Sequence, residues 1–306
     1  MNRYVDIEPA ADTPESAAIL DKIGRRMLKR QVDALKSLPT FPESIMRINS
    51  VLLEENSNQS MEQIARAIEV DPVVTARILR LVNSAFYGVS GAIASVYDAL
   101  VMLGLDVVRG IVLSSAAMDV GGRRRSISGL WEHSFGTAVA ASALGRTLGM
   151  SGVEEASAAG LMHDIGKLVL ASQLGSEYDR VIAYAIDEGI HIREAELKLL
   201  GVGHDTIGQW LVKRWRLPDS LAEPIALHHE PAQSRAHADV TALVHMADHM
   251  IRGYGFGFAG DRTMPPLCDK AWKRLGLNER KLRKAVAKMH IDLQEAMVHA
   301  NLYVSQ

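Results

Sequence analysis

Apolar residues recur at helical spacing along most of the chain, in runs bounded by residues that start or stop helices. The segment SMEQIARAIE opens with Ser60, which forms a capping box with Gln63, and Ile64 and Ile68 share one face of the predicted helix. The later segment VYDALVMLG is predicted to end at Gly104. The sequence shows no strand pattern and no fixed-period repeat, so it predicts an all-α fold.

The second half of the chain continues as a series of predicted helices. They are LWEHSFGTAVAASALGRTLG, EEASAAGLMHDIGKLVLAS, EYDRVIAYAIDEG, HIREAELKLLG, HDTIGQWLVKRW, SLAEPIALHH capped by Asp219, VTALVHMADHMI and a long helix from Asn278. Two Gly-rich stretches, residues 120–129 and 253–266, are predicted to be loops. We therefore predict four parts: an N-terminal arm or helix over 1–30, an N-terminal helical bundle over 31–120, a second helical domain over 130–255 packed against it, and a C-terminal helical extension over 268–306.

Composition excludes several classes of protein. The chain has 306 residues, of which 48% are hydrophobic and 23% charged, and this is enough apolar surface to exclude disorder across the chain. A net charge of −2 disfavours nucleic-acid binding, and neither a membrane span nor an N-terminal signal core is expected. Cys268 is the only cysteine, so we expect no intramolecular disulfide, no Cys-based zinc site and a cytoplasmic location.

Histidine is distributed unevenly along the chain. None of the 11 histidines precedes His133, nine lie from His133 to His249, and only His290 and His299 follow. We therefore expect any chemistry to lie in the second half of the chain.

The adjacent pair His163-Asp164 is the most distinctive feature of that half. Two such groups on an apolar helix are costly to bury unless they are paired or bind a metal. Neighbours on a regular helix point about 100° apart. They can therefore reach one ion only at a distorted or ending turn, which Gly166 would permit. Imidazole and carboxylate together suit zinc, iron, manganese or nickel.

Further candidate ligands lie on other predicted helices, each at a helix end or on an inward face. They are His133, His204, His228, His229 and Asp248. Helical bundles build metal sites by projecting ligands inward from several helices. The alternative is a set of capped or hydrogen-bonded polar residues in the core. Among the remaining histidines, His245 is expected in the core, where it can orient a ligand. Surface or structural positions are expected for His191, His237, His290 and His299.

The order His, then His-Asp, then Asp, with helices between, resembles the HD superfamily of metal-dependent phosphohydrolases. The matching positions are His133, His163, Asp164 and Asp248. In that superfamily these four residues hold a metal ion that activates water, and the resemblance implies the same ligands here.

A dinuclear branch of that superfamily, the HD-GYP phosphodiesterases of cyclic di-GMP, adds one His and then a His-His pair before the last Asp. His204, His228 and His229 match these positions, so the resemblance implies one or two ions. Lys167 matches a lysine that contacts substrate phosphate in that branch. The alternative for Lys167 is an ordinary lysine on the helix surface.

Three motifs in the first half of the chain and one later motif narrow the resemblance to the HDOD family, the HD-related output domains. The motifs that carry it are LPTFP from Leu38, DPVVT from Asp71, LRLVNS from Leu79, and WRLP from Trp215 followed by His228-His229. The resemblance covers roughly residues 30 to 232. It implies a bacterial signalling protein whose partners are response regulators or components of cyclic-dinucleotide pathways. Enzymatic activity has generally not been assigned to the family, and many members have lost ligands that this sequence keeps.

Two departures from the HD-GYP pattern argue against cyclic di-GMP hydrolysis. That branch continues from His-His-Glu into Asp-Gly-x-Gly-Tyr-Pro, whereas this chain continues with Pro231 and Ala232, and Gly253-Tyr254-Gly255 lies too far downstream to replace that segment. Members with three metals carry a Glu four residues before the first His, where this chain has Gly129. Two metal ions are still compatible with the ligands.

Two functions from different classes follow from the sequence. The first is a bacterial signal-transduction output domain with a retained HD-type site for a divalent transition metal. The alternative is a metal-dependent phosphohydrolase acting on a nucleotide or cyclic dinucleotide. The C-terminal helix is expected to cover one side of the protein or to form a homodimer contact. A nucleic-acid regulator is disfavoured because the chain has no strongly basic recognition helix.

Overall fold

A computed structural model of the protein describes residues 61–70, 74–75, 78–79, 82, 93–105, 107–108, 111–112 and 127–304, with side chains described as far as residue 294. The predicted 1–30 arm and most of the predicted 31–120 bundle lie outside these residues. So do most of the 120–129 loop, the motif LPTFP and most of the motifs DPVVT and LRLVNS.

Every regular element among the described residues is helical, which confirms the all-α prediction. The α-helices, numbered here in chain order, are α1 (Met61–Glu69), α2 (Val96–Leu103), α3 (Leu130–Leu148), α4 (Val153–Met162), α5 (Ile165–Leu174), α6 (Ser176–Asp187), α7 (Ile192–Leu200), α8 (His204–Arg214), α9 (Asp219–Leu227), α10 (Ala238–Tyr254), α11 (Asp269–Arg274) and α12 (Glu279–Val304). A short 3-10 helix, Pro231–Gln233, follows α9. In this part of the chain no helix is long and apolar enough to cross a membrane.

Most predicted helix ends agree with the structure. Gly104 ends α2 and Gly149 ends α3, and in each case the glycine N–H donates to a carbonyl in the last turn. Helix α9 begins at Asp219 with Pro218 in the preceding extended position, so the cap lies one residue earlier than predicted. A shift of this size is within the usual uncertainty of a helix boundary.

One predicted helix is wrong. The segment EEASAAGLMHDIGKLVLAS forms two helices, because α4 ends at Met162 and α5 begins at Ile165. His163 and Asp164 form the turn between them. Gly166 lets the first turn of α5 lie directly against the start of α8, since a Cβ at residue 166 would overlap the carbonyl oxygen of His204. The break therefore places the His-Asp pair beside α8.

Helices α3 and α4 form the centre of the described fold. Helices α10 and α12 pack on α3, α9 and α10 pack on α4, and α8 packs against α5 and α9. Small residues allow the central pair to approach closely: a Cβ at Gly160 would lie 3.2 Å from Cα of Ala138. Buried apolar residues form one connected core from Ile64 in α1 to Leu293 in α12. The predicted domain boundaries stay predictions.

Candidate metal centre

Asp164 lies in the turn between α4 and α5 and faces histidines on both sides. Its Oδ2 is 3.3 Å from Nε2 of His163 and 3.5 Å from Nε2 of His133. Its Oδ1 is 3.2 Å from Nε2 of His204 and 3.9 Å from Nε2 of His228. The two oxygens of one carboxylate therefore face two separate groups of candidate ligands.

The first cluster consists of His133, His163, Asp164 and Asp248. His133 lies inside α3 and Asp248 inside α10, two helices that pack together. Oδ1 of Asp248 is 3.1 Å from Nε2 of His133 and 3.9 Å from Nε2 of His163. The Nε2 atoms of the two histidines are 3.3 Å apart. All four side chains are buried, so the structure brings together the four positions that match the HD superfamily.

The second cluster consists of Asp164, His204, His228 and His229. His204 is the first residue of α8, and His228 and His229 directly follow the end of α9. Nε2 of His204 is 2.9 Å from Nε2 of His229, and one ring nitrogen from each of the three histidines lies within 4.8 Å of the other two. The helix ends thus place the three rings together, with His204 and His228 next to Oδ1 of Asp164.

Backbone carbonyls orient two of the histidine rings. Nδ1 of His163 is 2.7 Å from the carbonyl oxygen of Gly160, and Nδ1 of His228 is 2.9 Å from that of Ile225. Because a carbonyl can only accept a hydrogen bond, each Nδ1 carries the proton of the neutral ring. Each Nε2 then presents its lone pair to the cluster, as a metal ligand must.

The two donor sets fit divalent transition metals. Two ligand atoms that are each about 2.1 Å from one ion lie about 3.0–3.4 Å apart. The 3.1 Å between Asp248 and His133 and the 3.2 Å between Asp164 and His204 match this spacing. Among the described residues, Oδ1 of Asp164 and Nε2 of His228 are buried without a hydrogen-bond partner. A cation would satisfy both lone pairs, which are otherwise unfavourable to bury.

Burial and neighbouring charges shift the pKa values of several candidate ligands towards the protonation states that bind metals. Burial lowers the pKa of His228 to about 3 and lowers the pKa of His204 and of His229 well below the usual value. Burial alone would raise the pKa of Asp164, but neighbouring positive charge, including that of Lys167, outweighs it and holds that pKa well below its usual range. Neutral imidazoles and ionised carboxylates are the forms that bind divalent ions.

Lys167 is buried beside the first cluster and does not lie on the helix surface. Its Nζ donates to Oδ2 of Asp164 at 2.6 Å and to the carbonyl oxygen of Ala259 at 2.8 Å. Ala259 belongs to the loop predicted over 253–266, so this loop contacts the site directly. The lysine lies next to the shared aspartate, and its contact with a phosphate stays a prediction.

Sequence reasoning missed a buried carboxyl group behind the second cluster. Oε2 of Glu196, in α7, accepts from the backbone N–H of His204 at 2.8 Å and lies 2.6 Å from Nδ1 of the same residue. Oε1 accepts from the Tyr178 hydroxyl at 2.6 Å. Burial raises the pKa of Glu196 to about 8, against the opposing effects of the Lys167 charge and the Tyr178 hydrogen bond. In the sequence Glu196 is one charge among several on an amphipathic helix, so no local signal identifies it.

A second missed group supports Asp248. Arg252, one turn later in α10, donates from Nε to Oδ1 of Asp248 at 2.9 Å and from Nη1 to Oδ1 of Asp261 at 3.0 Å. Asp261 also accepts from the backbone N–H of Ile192 at 3.0 Å, which ties the loop after α10 to α7. This loop begins two residues later than predicted, because α10 extends to Tyr254. The four-residue spacing of Asp248 and Arg252 is a sequence signal for their contact, whereas Asp261 carries no such signal.

Other histidines hold the backbone around the two clusters. Nδ1 of His245 is 2.7 Å from the carbonyl oxygen of His228, and Nε2 accepts from the backbone N–H of Cys268 at 3.0 Å. His245 thus fixes the segment that carries two ligands, as expected for a core histidine. His191 caps α7, with Nδ1 accepting from the Arg193 N–H at 3.3 Å.

Comparison with known proteins gives matches over most of the chain. A family model described as HDOD domain matches residues 38–231, which is more than half of the chain. The structure of an HDOD domain protein of unknown function from Geobacter sulfurreducens is 27% identical, with a TM-score of 0.62, and the match covers 94% of this chain and 99% of that chain.

Two further structures support the fold alone, because their sequence identity is low. One, from Shewanella amazonensis SB2B and provisionally named a phosphohydrolase, is 24% identical with a TM-score of 0.63, over 88% of this chain and 97% of that chain. The other, from Marinobacter aquaeolei VT8 and provisionally named a signal transduction protein, is 21% identical with a TM-score of 0.66, over 95% and 67%.

A curated protein of Treponema pallidum (strain Nichols), named "Uncharacterized protein", is 24% identical over 226 residues. The match covers 72% of this chain and 43% of that protein, so the chain spans less than half the length of this relative.

Proposed function

Because the chain belongs to the HDOD family, we propose that it is a signal-transduction output protein with a retained divalent metal centre. The observation that carries the metal centre is the placement of Asp164 between the first and second clusters, with one carboxylate oxygen facing each. Family membership supports the signalling role. The proposed partners are response regulators or components of cyclic-dinucleotide pathways, together with a second copy of the chain.

The proposed centre takes one or two ions of iron, manganese, zinc or nickel. A bound divalent ion lowers the pKa of a water ligand towards neutrality. The chain supplies histidine Nε2 atoms and carboxylate oxygens from helices that bury them, so the ligands need little rearrangement to bind. Lys167 holds a positive charge beside Asp164, where it would attract an incoming phosphate oxygen.

A metal-dependent phosphohydrolase is the second candidate function. The specific observation that favours it is that both clusters have all the predicted ligands and that buried Lys167 lies against the aspartate they share. The absence from the sequence of the Asp-Gly-x-Gly-Tyr-Pro segment argues against cyclic di-GMP as the substrate. This candidate therefore concerns nucleotides, other cyclic dinucleotides or simple phosphate esters.

Elemental analysis followed by a turnover assay tests both candidates. We expect the purified full chain, loaded with iron or manganese, to hold at least about one ion and His163→Ala to hold fewer. A content below about 0.2 ion per chain after loading would remove the metal centre from the proposal.

The loaded protein is then assayed with bis(p-nitrophenyl) phosphate, nucleotides and cyclic dinucleotides. The signalling proposal expects no turnover of any of them. Steady hydrolysis that disappears in His163→Ala would replace it with the phosphohydrolase.

A further inference from the structure

We propose, on the basis of the metal centre above, that the two clusters bind divalent ions with unequal affinity. The second cluster binds the first ion tightly. The first cluster binds another ion at least tenfold more weakly, so a single-ion protein exists over a broad range of metal concentration. The inference rests on which carboxylate oxygens the buried cations of the chain contact.

Both buried cations near the centre contact oxygens that belong to the first cluster. Nζ of Lys167 is 2.6 Å from Oδ2 of Asp164, the oxygen that faces His133 and His163. Nε of Arg252 is 2.9 Å from Oδ1 of Asp248, the oxygen 3.1 Å from Nε2 of His133. An ion in the first cluster must therefore share both oxygens with fixed positive charges.

Neither cation is free to withdraw. Lys167 also donates to the carbonyl oxygen of Ala259. Arg252 also binds Oδ1 of Asp261 at 3.0 Å and the carbonyl oxygen of Thr263 at 3.2 Å. Both side chains are buried, at 1% exposed for Lys167 and 5% for Arg252, so water does not screen their charge from an incoming ion.

The second cluster has no such competitor among the described residues. Oδ1 of Asp164 takes part in no ion pair with a lysine or arginine in that part of the chain, and it has no hydrogen-bond partner there. Nε2 of His228 is equally unpartnered. An ion bound here satisfies two buried atoms, Oδ1 of Asp164 and Nε2 of His228, neither of which contacts a lysine or arginine among the described residues.

The second cluster also has a carboxyl group that positions one of its ligands. Oε2 of Glu196 contacts both the backbone nitrogen and Nδ1 of His204, and the Tyr178 hydroxyl fixes the other oxygen. The corresponding Nδ1 atoms of His163 and His228 each contact only a backbone carbonyl. Loss of the outer partner of a ligand histidine typically costs about 10–100-fold in metal affinity.

Titration of the metal-free full chain with Mn²⁺ tests the inequality. Equilibrium dialysis should resolve two binding steps at least tenfold apart. Electron paramagnetic resonance should show an isolated ion at one equivalent and a spin-coupled pair at two. Two ions bound with equal affinity would overturn the inference while sustaining the metal centre, whereas no binding would overturn both.

A matched pair of ligand variants assigns the steps to the clusters. His229→Gln should remove the tight step and leave the weak one, and His133→Gln should do the reverse. The opposite assignment would overturn the proposal. Circular dichroism of both metal-free variants checks that they are folded.

Two further variants test the cause of the inequality. Lys167→Met should tighten the weak step at least tenfold, because it removes a cation from Oδ2 of Asp164. Glu196→Gln should weaken the tight step about 10–100-fold and leave the weak step unchanged. An unchanged weak step in a folded Lys167→Met protein, or an unchanged tight step in Glu196→Gln, would contradict the proposed cause.

Discussion

The first and second clusters share Asp164 but are held in different ways. The first draws His133 from the first turn of α3 and Asp248 from within α10, so two packed helices set their positions. The second draws its three histidines from the ends of α8 and α9, where fewer helical neighbours fix each residue. Single contacts, such as those of Glu196 and Gly166, therefore matter more there. The positions of the candidate ligands thus depend on helix packing in one cluster and on local contacts in the other.

Replacing the shared aspartate should have the largest effect, because it should weaken metal binding at both clusters. Asp164→Asn should weaken binding at both clusters by more than the roughly 10–100-fold expected for loss of an outer partner. The metal-free protein should lose about 3 kcal/mol in its free energy of unfolding, since buried Lys167 loses its charged partner. Metal content and urea unfolding measure the two effects. As a control, Asp248→Asn should lose binding only at the first cluster, and equal losses at both clusters in that variant would contradict the bridging role of Asp164.

Two glycine variants should each affect mainly one cluster, because each glycine contacts the backbone of a different candidate ligand. Gly166→Ala should lower the free energy of unfolding by at least about 2 kcal/mol, because its Cβ would overlap the carbonyl oxygen of His204 and displace a ligand of the second cluster. Gly257→Ala should act on the first cluster instead. Gly257 has a φ of 75°, and a Cβ there would overlap the backbone nitrogen of His133. Urea unfolding and Mn²⁺ dialysis of each variant measure the effects.

Gly253→Ala is the control for both glycine variants. Gly253 lies in α10 with nothing within 4 Å of the added Cβ, so alanine there should raise stability by up to about 1 kcal/mol. If Gly166→Ala matched this gain, the close approach of α5 to α8 would not support the second cluster.

The sequence predicts the helices well because they depend on local pattern. The apolar residues of α3 and α10 repeat over a few helical turns, so the sequence of each helix alone reveals the pattern without knowledge of the helices that pack against it. The candidate ligands His133 and Asp248 lie on these helices at positions that match the HD superfamily. The order of candidate ligands along the chain can therefore be recognised from sequence motifs before the packing of the helices is known.

The supporting contacts could not be predicted because they depend on packing between distant segments. The close approach of Gly166 to the backbone of His204 brings α5 against α8, and nothing in the local apolar pattern marks that contact. Lys167 meets the carbonyl of Ala259 across 92 residues of sequence. Glu196 likewise becomes a buried partner only when α7 packs beside the start of α8.

Removing one hydroxyl should have a smaller effect, on stability and on metal affinity at the second cluster. Tyr178→Phe deletes the donor to Oε1 of Glu196 and should lower the free energy of unfolding by about 1 kcal/mol. Binding at the second cluster should weaken less than in Glu196→Gln, because Oε2 keeps both contacts to His204. Calorimetric titration with Mn²⁺ measures this. Tyr254→Phe, at an exposed contact with His290, is the matched control, and an equal loss of metal affinity there would contradict the role of Tyr178.

The smallest expected effect concerns His245, which supports the second cluster through the carbonyl of His228. Burial lowers the pKa of His245 to about 4, so between pH 6.5 and 4 the unfolded chain binds a proton at this residue that the folded chain does not. Stability from this group is therefore complete above pH 6.5 and is lost as the pH falls. From pH 7 to pH 6 the loss is about 0.7 kcal/mol. Urea unfolding of the metal-free protein should accordingly show a steeper decline in the wild type than in His245→Gln, and parallel curves would show that the fold does not keep His245 neutral.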